Sequence, residues 1–220
     1  MPSGLNSLDQ TYQAGPCCCG RQETKASLTA DEQFFENVAS KVIEDGPKNG
    51  VTIDTKRIYM AGHSNGCISA IAMGTLHSDW VAAVACHAGV AQAVFPTDYQ
   101  PTPMWIAHGT GDTAVNYEGE RKSLSAEETH TIIAQKNGCK SIKVTEPIKG
   151  GAGTKIVSDD CTNGATVVLF ALNDVGHFPY QGLKMDGPNV YVDTTEEAWN
   201  FLKSHSLNEA PTIIRFGDEL

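Results

Sequence analysis

The residues best suited to chemistry are Gly62-His63-Ser64-Asn65-Gly66, which follow the pattern Gly-x-Ser-x-Gly. Between a buried strand and a helix, this pattern predicts a tight turn that raises the serine hydroxyl above the edge of a sheet, because only small residues avoid a clash there. Short apolar segments on both sides provide that setting in this chain. We therefore predict that Ser64 is a nucleophile. The alternative is a glycine-rich turn without chemistry.

A serine hydroxyl needs a base to remove its proton and an acid to hold that base in the correct tautomer. When the serine lies on such a turn, the acid and then the histidine follow it along the chain, each in a loop after a later strand. Asp112 ends the segment His108-Gly109-Thr110-Gly111-Asp112, and His177 ends Val175-Gly176-His177. Both follow predicted strands in the required order, so we assign Asp112 as the acid and His177 as the base.

Two alternatives stay open for the acid. Asp112 could be a turn residue that binds its own backbone, as aspartate often does in glycine-rich loops. Asp174 is a competing acid, but it lies only three residues before His177 and would share its loop. Each of the other histidines lies on a predicted helix, inside the pentapeptide or before the acid: His63, His77, His87, His108, His130 and His205.

The oxyanion formed on an attacked carbonyl needs backbone donors, one of which is ordinarily the N–H of the residue after the nucleophile. That residue is Asn65. The second donor comes from a loop after an earlier strand, and the sequence offers no candidate for it.

Alternating strands and helices must position these residues. The capping-box spacing from Thr29 to Glu32 predicts a first helix that ends at Gly46. Later helices are predicted over Ile68–Leu76, from Ser125 to Asn137-Gly138, and over Thr194–His205, and strands over Arg57–Ala61, Val81–Cys86, Pro103–His108 and Thr166–Leu172. This alternation predicts one α/β domain over residues 1–220, with a mostly parallel sheet covered by helices on both faces.

The charge and the cysteine content of the chain indicate which partners and which compartment to expect. A formal net charge of −10 disfavours nucleic acid and anionic membrane surfaces as partners, and no apolar run is long enough to span a bilayer. The seven cysteines lack zinc-site spacing and indicate an oxidising compartment, although Met1 is not followed by a secretory signal. We expect an ester substrate, either a small molecule or a polymer, and neither a metal nor an organic cofactor.

Three segments are more specific than these patterns. They are Gln13-Ala14-Gly15-Pro16-Cys17-Cys18-Cys19-Gly20, Ile53-Asp54 through Tyr59 leading into the pentapeptide, and the segment ending at Asp112 with Val115, Tyr117 and Gly119 after it. On these segments the chain resembles, from Tyr12 to Gly182, the secreted serine esterases that include polyhydroxybutyrate depolymerases, feruloyl esterases and acetylxylan esterases. The resemblance implies an α/β-hydrolase fold, carboxylic-ester hydrolysis and a disulfide between Cys139 and Cys161. It leaves open whether Cys67 and Cys86 pair with the cluster Cys17–Cys19.

The chain departs from this family in two places. Phe178-Pro179-Tyr180-Gln181-Gly182 stands where relatives carry Trp-Pro-Gly after the histidine, so the acyl specificity does not transfer. Relatives also carry about half of the sheet before the Cys-Cys-Gly segment, including the strand that supplies the second oxyanion donor. We therefore expect Arg57–Ala61 to form an exposed apolar edge that invites self-association, and weak activity.

Two rival functions follow from these features: a peptidase of the prolyl-oligopeptidase type, and a hydrolase remnant that acts as a binding module. The C-terminal Gly217-Asp218-Glu219-Leu220 is similar to the Lys/His-Asp-Glu-Leu signal for retention in the endoplasmic reticulum, and its alternative is a solvated acidic tail. We expect a protein of the secretory pathway or the cell exterior.

Overall fold

A computed structural model describes residues 25–92, 95–120, 123–178, 183–184 and 191–211. Its helices are α1 (Lys25–Lys48), α2 (Asn65–Leu76), α3 (Ala126–Lys136) and α4 (Thr194–Leu202). Its strands are β1 (Tyr59–His63), β2 (Ala83–His87), β3 (Met104–Gly109), β4 (Ser141–Ile148), β5 (Gly153–Asp159), β6 (Val167–Leu172), β7 (Leu183–Lys184) and β8 (Tyr191–Val192).

Six of these strands form one sheet, in the order β1-β2-β3-β6-β5-β4. The pairs β1–β2, β2–β3 and β3–β6 are parallel, whereas β5 runs antiparallel to both β6 and β4. The carboxyl ends of β1, β3 and β6 therefore meet at one edge of the sheet, which is where the candidate residues were expected. This mostly parallel sheet with its helices confirms the predicted α/β-hydrolase fold.

The residues of β6 show how the two faces of the sheet are covered. Val167 and Leu169 belong to an apolar cluster that includes Ile71 of α2 and Ile133 of α3. Val168 and Phe170 belong to a second cluster with Leu202 of α4. Because successive strand residues point to opposite faces, an uninterrupted apolar strand packs against helices on both sides.

The structure differs from the predicted elements in the bounds of the first helix and in two strands that were not predicted. Helix α1 contains Thr29 and extends through Pro47 to Lys48, so the helix neither begins at Thr29 nor ends at Gly46. Strands β4 and β5 had not been predicted, because charged residues, Pro147 and a glycine-rich turn at 149–151 interrupt their apolar pattern. Pairing along β6 overrides these weak local preferences.

Strand β1 lies at the end of the sheet order, and among the described residues it pairs only with β2. Ser64 donates its N–H to His87 O, and Ala82 donates to Ile58 O, across this pair. Backbone groups alternate in direction along a strand, so those of Tyr59 and Ala61 point to the open side. Self-association through this edge stays a prediction.

Two disulfides lie within the described residues. Cys139 pairs with Cys161, as the resemblance implied. Cys67 at the start of α2 pairs with Cys86 of β2, because α2 packs directly on this strand. The sequence left open whether these two cysteines pair with the cluster Cys17–Cys19, and the structure pairs them with each other. The cluster itself lies outside the described residues.

We predict that the Cys139–Cys161 disulfide stabilises the fold by limiting the unfolded chain. It closes a segment with a sequence separation of 22, for which chain entropy gives about 3 kcal/mol. The double variant Cys139→Ala, Cys161→Ala should lose about that much free energy of unfolding in a urea titration. An unchanged midpoint and slope would show that the bridge contributes no net stability.

Candidate active site

Ser64 occupies the sharp turn between the end of β1 and the start of α2. Its backbone has φ 57° and ψ −124°, a conformation that costs free energy for a residue with a side chain. The hydrogen bond from Ser64 N–H to His87 O, 2.9 Å long, holds this turn against β2. The strain is stored at the residue that the sequence predicts to be the nucleophile.

The two glycines of the pentapeptide differ in what surrounds them. A Cβ on Gly62 would overlap the backbone carbonyl of Gly66 and approach Cys67 N to 2.7 Å. A Cβ on Gly66 would meet none of the described residues within 4 Å. The close approach of strand and helix therefore requires glycine at position 62 only.

We predict opposite effects for two alanine variants at these positions. Gly62→Ala should force the first turn of α2 away from β1 and move Ser64 Oγ by about 1 Å, which costs about 10²-fold in ester turnover. Gly66→Ala should raise thermal stability, because alanine is better than glycine inside a helix by about 1 kcal/mol. Activity assays of Gly62→Ala and melting curves of both variants test this, and equal melting temperatures would contradict it.

Asp112 lies in the loop after β3 and is almost completely buried. Its Oδ1 accepts the backbone N–H groups of Ala114 and Val115, each at 2.9 Å, and its Oδ2 lies 2.8 Å from His177 Nδ1. Burial acts to raise the pKa of Asp112, but the hydrogen bonds from His177, Val115 and Ala114 outweigh it, so the net shift is downward. One carboxylate thus binds its own turn and the predicted base at once.

His177 joins the other two residues. Its Nδ1 faces Asp112 and its Nε2 lies 2.8 Å from Ser64 Oγ. Asp174 is exposed, and its backbone N–H donates to Thr110 Oγ1 at 2.9 Å. Asp112 therefore holds the position next to the His177 ring, and Asp174 ties the two loops together.

This arrangement is suited to serving as a proton path. With the proton of His177 on Nδ1 and donated to Asp112, Nε2 is left to accept the hydroxyl proton of Ser64. Asn65 is the first residue of α2, where the helix dipole favours negative charge. The second oxyanion donor stays unassigned.

The sequence analysis did not predict that the rings of two further histidines, His63 and His87, lie close to the triad. His63 stands next to His87 across the β1–β2 pair, and the His63 ring lies against the ring of His177, with centroids 4.8 Å apart. The sequence analysis placed His63 inside the pentapeptide and gave it no role.

Within the described residues, no three histidine, cysteine or acidic side chains are grouped to hold a metal ion. None of the helices described is long and apolar enough to cross a membrane.

The neutral form of His87 should make folding sensitive to acid. Burial lowers the pKa of His87 to about 4. A hydrogen bond with the backbone of Thr194 acts to raise this pKa, and the nearby His63 lowers it further. Because the folded pKa lies below the unfolded value of 6.5, the stability is present above pH 6.5 and is lost as the pH falls towards 4. The loss from this residue is at most about 3 kcal/mol. His87→Phe should show a smaller fall than the wild type in unfolding titrations across this range; parallel falls would contradict the assignment.

Comparison with known proteins adds a family context to this geometry. No protein-family model matches the sequence. The chain is 26% identical over 218 residues to "Feruloyl esterase B" of Piromyces equi, covering 94% of this chain and 36% of that protein. It is 23% identical over 192 residues to "Putative esterase NocK" of Nocardia uniformis subsp. tsuyamanensis, covering 74% of this chain and 56% of that protein. The chain thus spans less than two thirds of either relative, and both of these distantly similar proteins are named as esterases.

Proposed function

We propose that the chain is a serine hydrolase that cleaves carboxylic esters through an acyl-enzyme. The observation that carries this proposal is the continuous path from Ser64 Oγ through both ring nitrogens of His177 to Asp112, with each contact 2.8 Å long. In this proposal Ser64 is the nucleophile, His177 the general base and then acid, and Asp112 the residue that orients His177. The backbone N–H of Asn65 is the proposed oxyanion donor.

The proposed reaction has two halves. Ser64 Oγ attacks the ester carbonyl carbon while His177 Nε2 takes its proton, and the carbonyl oxygen becomes an oxyanion near Asn65 N–H. The tetrahedral intermediate expels the alcohol, which receives the proton from His177. Water then attacks the acyl-enzyme with His177 as base, and the acid product leaves as Ser64 regains its proton.

The proposed substrate class is that of the feruloyl esterases or the polyhydroxybutyrate depolymerases. The sequence resemblance and the name of the Piromyces relative support this choice. Both classes present an ester carbonyl on a bulky or polymeric molecule, and both require a half-buried, reachable serine such as Ser64. Residues 179–182, where the chain departs from the esterases it resembles, lie outside the described residues.

We also propose that the protein works in the secretory pathway or outside the cell. The pairs Cys67–Cys86 and Cys139–Cys161 support an oxidising compartment, where disulfides persist. The C-terminal segment Gly217–Leu220, which resembles a retention signal, lies outside the described residues.

The side of β1 that pairs with no described strand favours one rival, a hydrolase remnant that binds a partner without turnover. The peptidase rival uses the same three side chains and differs in its leaving group, an amine instead of an alcohol. Purified chain should therefore be assayed on p-nitrophenyl acetate and butyrate, on methyl ferulate, and on a peptide with an internal proline, with Ser64→Ala as the blank.

The proposal predicts release of p-nitrophenol and ferulate above that blank, with little peptide cleavage. Faster cleavage of the peptide than of every ester would favour the peptidase. A folded chain that is inert on all substrates would favour the remnant, and elution as a dimer in gel filtration would then implicate the β1 edge.

A further inference from the structure

His63 and His177 are in direct contact although they lie on different segments of the chain. His63 ends β1, and His177 lies in the loop after β6. Their ring centroids are 4.8 Å apart and their planes meet at 47°. This contact is independent of the two hydrogen bonds that join His177 to Asp112 and Ser64.

Those two hydrogen bonds keep their lengths during one motion of the His177 ring. They hold the ring at Nδ1 and Nε2, so the ring is still able to tip about the line through these two atoms. The ring of His63 packs against His177 from the side and limits this motion. Tipping would bend both hydrogen bonds, which weaken steeply as their angles depart from linearity.

Charge makes a histidine at this position different from an apolar ring. His177 becomes positively charged when it takes the proton of Ser64. The carboxylate of Asp112 is hydrogen-bonded to this ring, the ring of His63 lies against it, and His87 is the neighbour of His63. A neutral His63 imposes no repulsion on that charge, whereas a protonated His63 would oppose it at short range.

The surroundings of His63 favour its neutral form at neutral pH. Its Nε2 is buried and has no hydrogen-bond partner among the described residues, so a proton there would have no acceptor. Burial lowers the pKa of His63, and the nearby His177 lowers it further, while Asp112 acts in the opposite direction. His63 in turn contributes to lowering the pKa of His87, its neighbour on β2.

We propose that neutral His63 is a positioning residue that keeps the His177 ring aligned with Ser64 and Asp112, and that protonation of His63 in acid turns the site off by repelling the proton taken from Ser64. This inference rests on the proposed function for its effect on turnover. The contact between the two rings, however, has a readout that needs no substrate.

The first readout is the titration of the His177 ring, followed by NMR of protein labelled at histidine Cε1. Because the two rings are in contact, the His177 signal should change in two steps, one of which reports the protonation of His63. His63→Phe keeps a ring in contact and removes the charge, so its His177 signal should change in one step. His205→Phe is the control, because that ring contacts Phe201 and no residue of the triad; it should keep the two steps.

The second readout is the pH profile of kcat/KM on p-nitrophenyl butyrate. The acid limb of the wild type should be steeper than a slope of one, and that of His63→Phe should have a slope of one. His63→Ala, which loses the ring contact altogether, should lower kcat at pH 8 by about tenfold or more, beyond the loss in His63→Phe. Circular dichroism melts of the three proteins show that each is folded at the pH of assay.

A single-step His177 signal in the wild type, or the same pH profile in the wild type and His63→Phe, would overturn the inference. If the wild type releases no p-nitrophenol yet its His177 signal changes in two steps, the coupling of the rings stands and the proposed function fails. If the wild type turns over ester yet its His177 signal changes in one step, the proposed function stands and the coupling of the rings fails.

Discussion

Replacing Ser64 with alanine is expected to lower kcat on p-nitrophenyl butyrate by about 10⁶-fold relative to the wild type. The variant removes the atom that forms the acyl bond, and no other hydroxyl lies in contact with His177 Nε2 among the described residues. The affinity for the ester should change little, because the variant slows only the step in which the acyl bond to the protein forms. Stopped-flow and steady-state measurements of p-nitrophenol release determine this loss of kcat directly.

The double variant Ser64→Ala, His177→Ala is the matched control for this prediction. Nucleophile and base act as one unit, so the second substitution should cost almost nothing beyond the first. A double variant much slower than Ser64→Ala would mean that His177 also activates water without the serine. Substantial residual activity in Ser64→Ala would remove Ser64 from the mechanism.

The variant Asp112→Asn should lower kcat by about 10⁴-fold while leaving the fold intact. The N–H groups of Ala114 and Val115 need an acceptor, so they retain the amide oxygen and turn the amide nitrogen towards His177. That nitrogen is a donor, so His177 Nδ1 must accept and the ring proton moves to Nε2. Nε2 then donates to Ser64 instead of accepting its proton.

Asp174→Asn is the control for Asp112→Asn, because it makes the same chemical change in the neighbouring loop. Asp174 has φ 57°, which asparagine tolerates, and its side chain is exposed. Its ester turnover should match that of the wild type. A large loss in Asp174→Asn with little loss in Asp112→Asn would reverse the assignment of the acid.

The order of the elements around the site could be predicted from the sequence because its parallel strands are short, apolar runs. Three of them end close to Ser64, Asp112 and His177, and the loop after each strand brings its residue to the same edge of the sheet. The predicted strand boundaries differ from the observed ones by at most two residues, since backbone pairing sets where a strand begins and local preference does not.

Long-range contacts account for what the sequence did not predict. The hairpin β4–β5 is held by its register along β6, which no local pattern records. The pairing of Cys67 with Cys86 depends on α2 packing against β2, and several connectivities are compatible with the same cysteine spacing. The turn interpretation of Asp112 proved compatible with contact to His177, because its two oxygens serve different partners.

The contact of His63 with His177 is also a long-range contact, which the local sequence does not indicate. Its position in the pentapeptide suggested only a turn residue, and the ring of His177, 4.8 Å away, comes from a segment more than 100 residues later. The neighbouring pair of histidines at the ends of β1 and β2 was the available signal, since parallel strands in register bring such residues side by side.

Covalent labelling of the chain tests the central proposal most directly. The chain is incubated with a fluorophosphonate ester, which phosphonylates activated serines, and the intact mass and the peptide that contains residue 64 are measured. We expect one added group on Ser64, no addition in Ser64→Ala, and much slower addition in His177→Ala. A folded chain that takes up no label, or a label on another residue, would contradict the proposal.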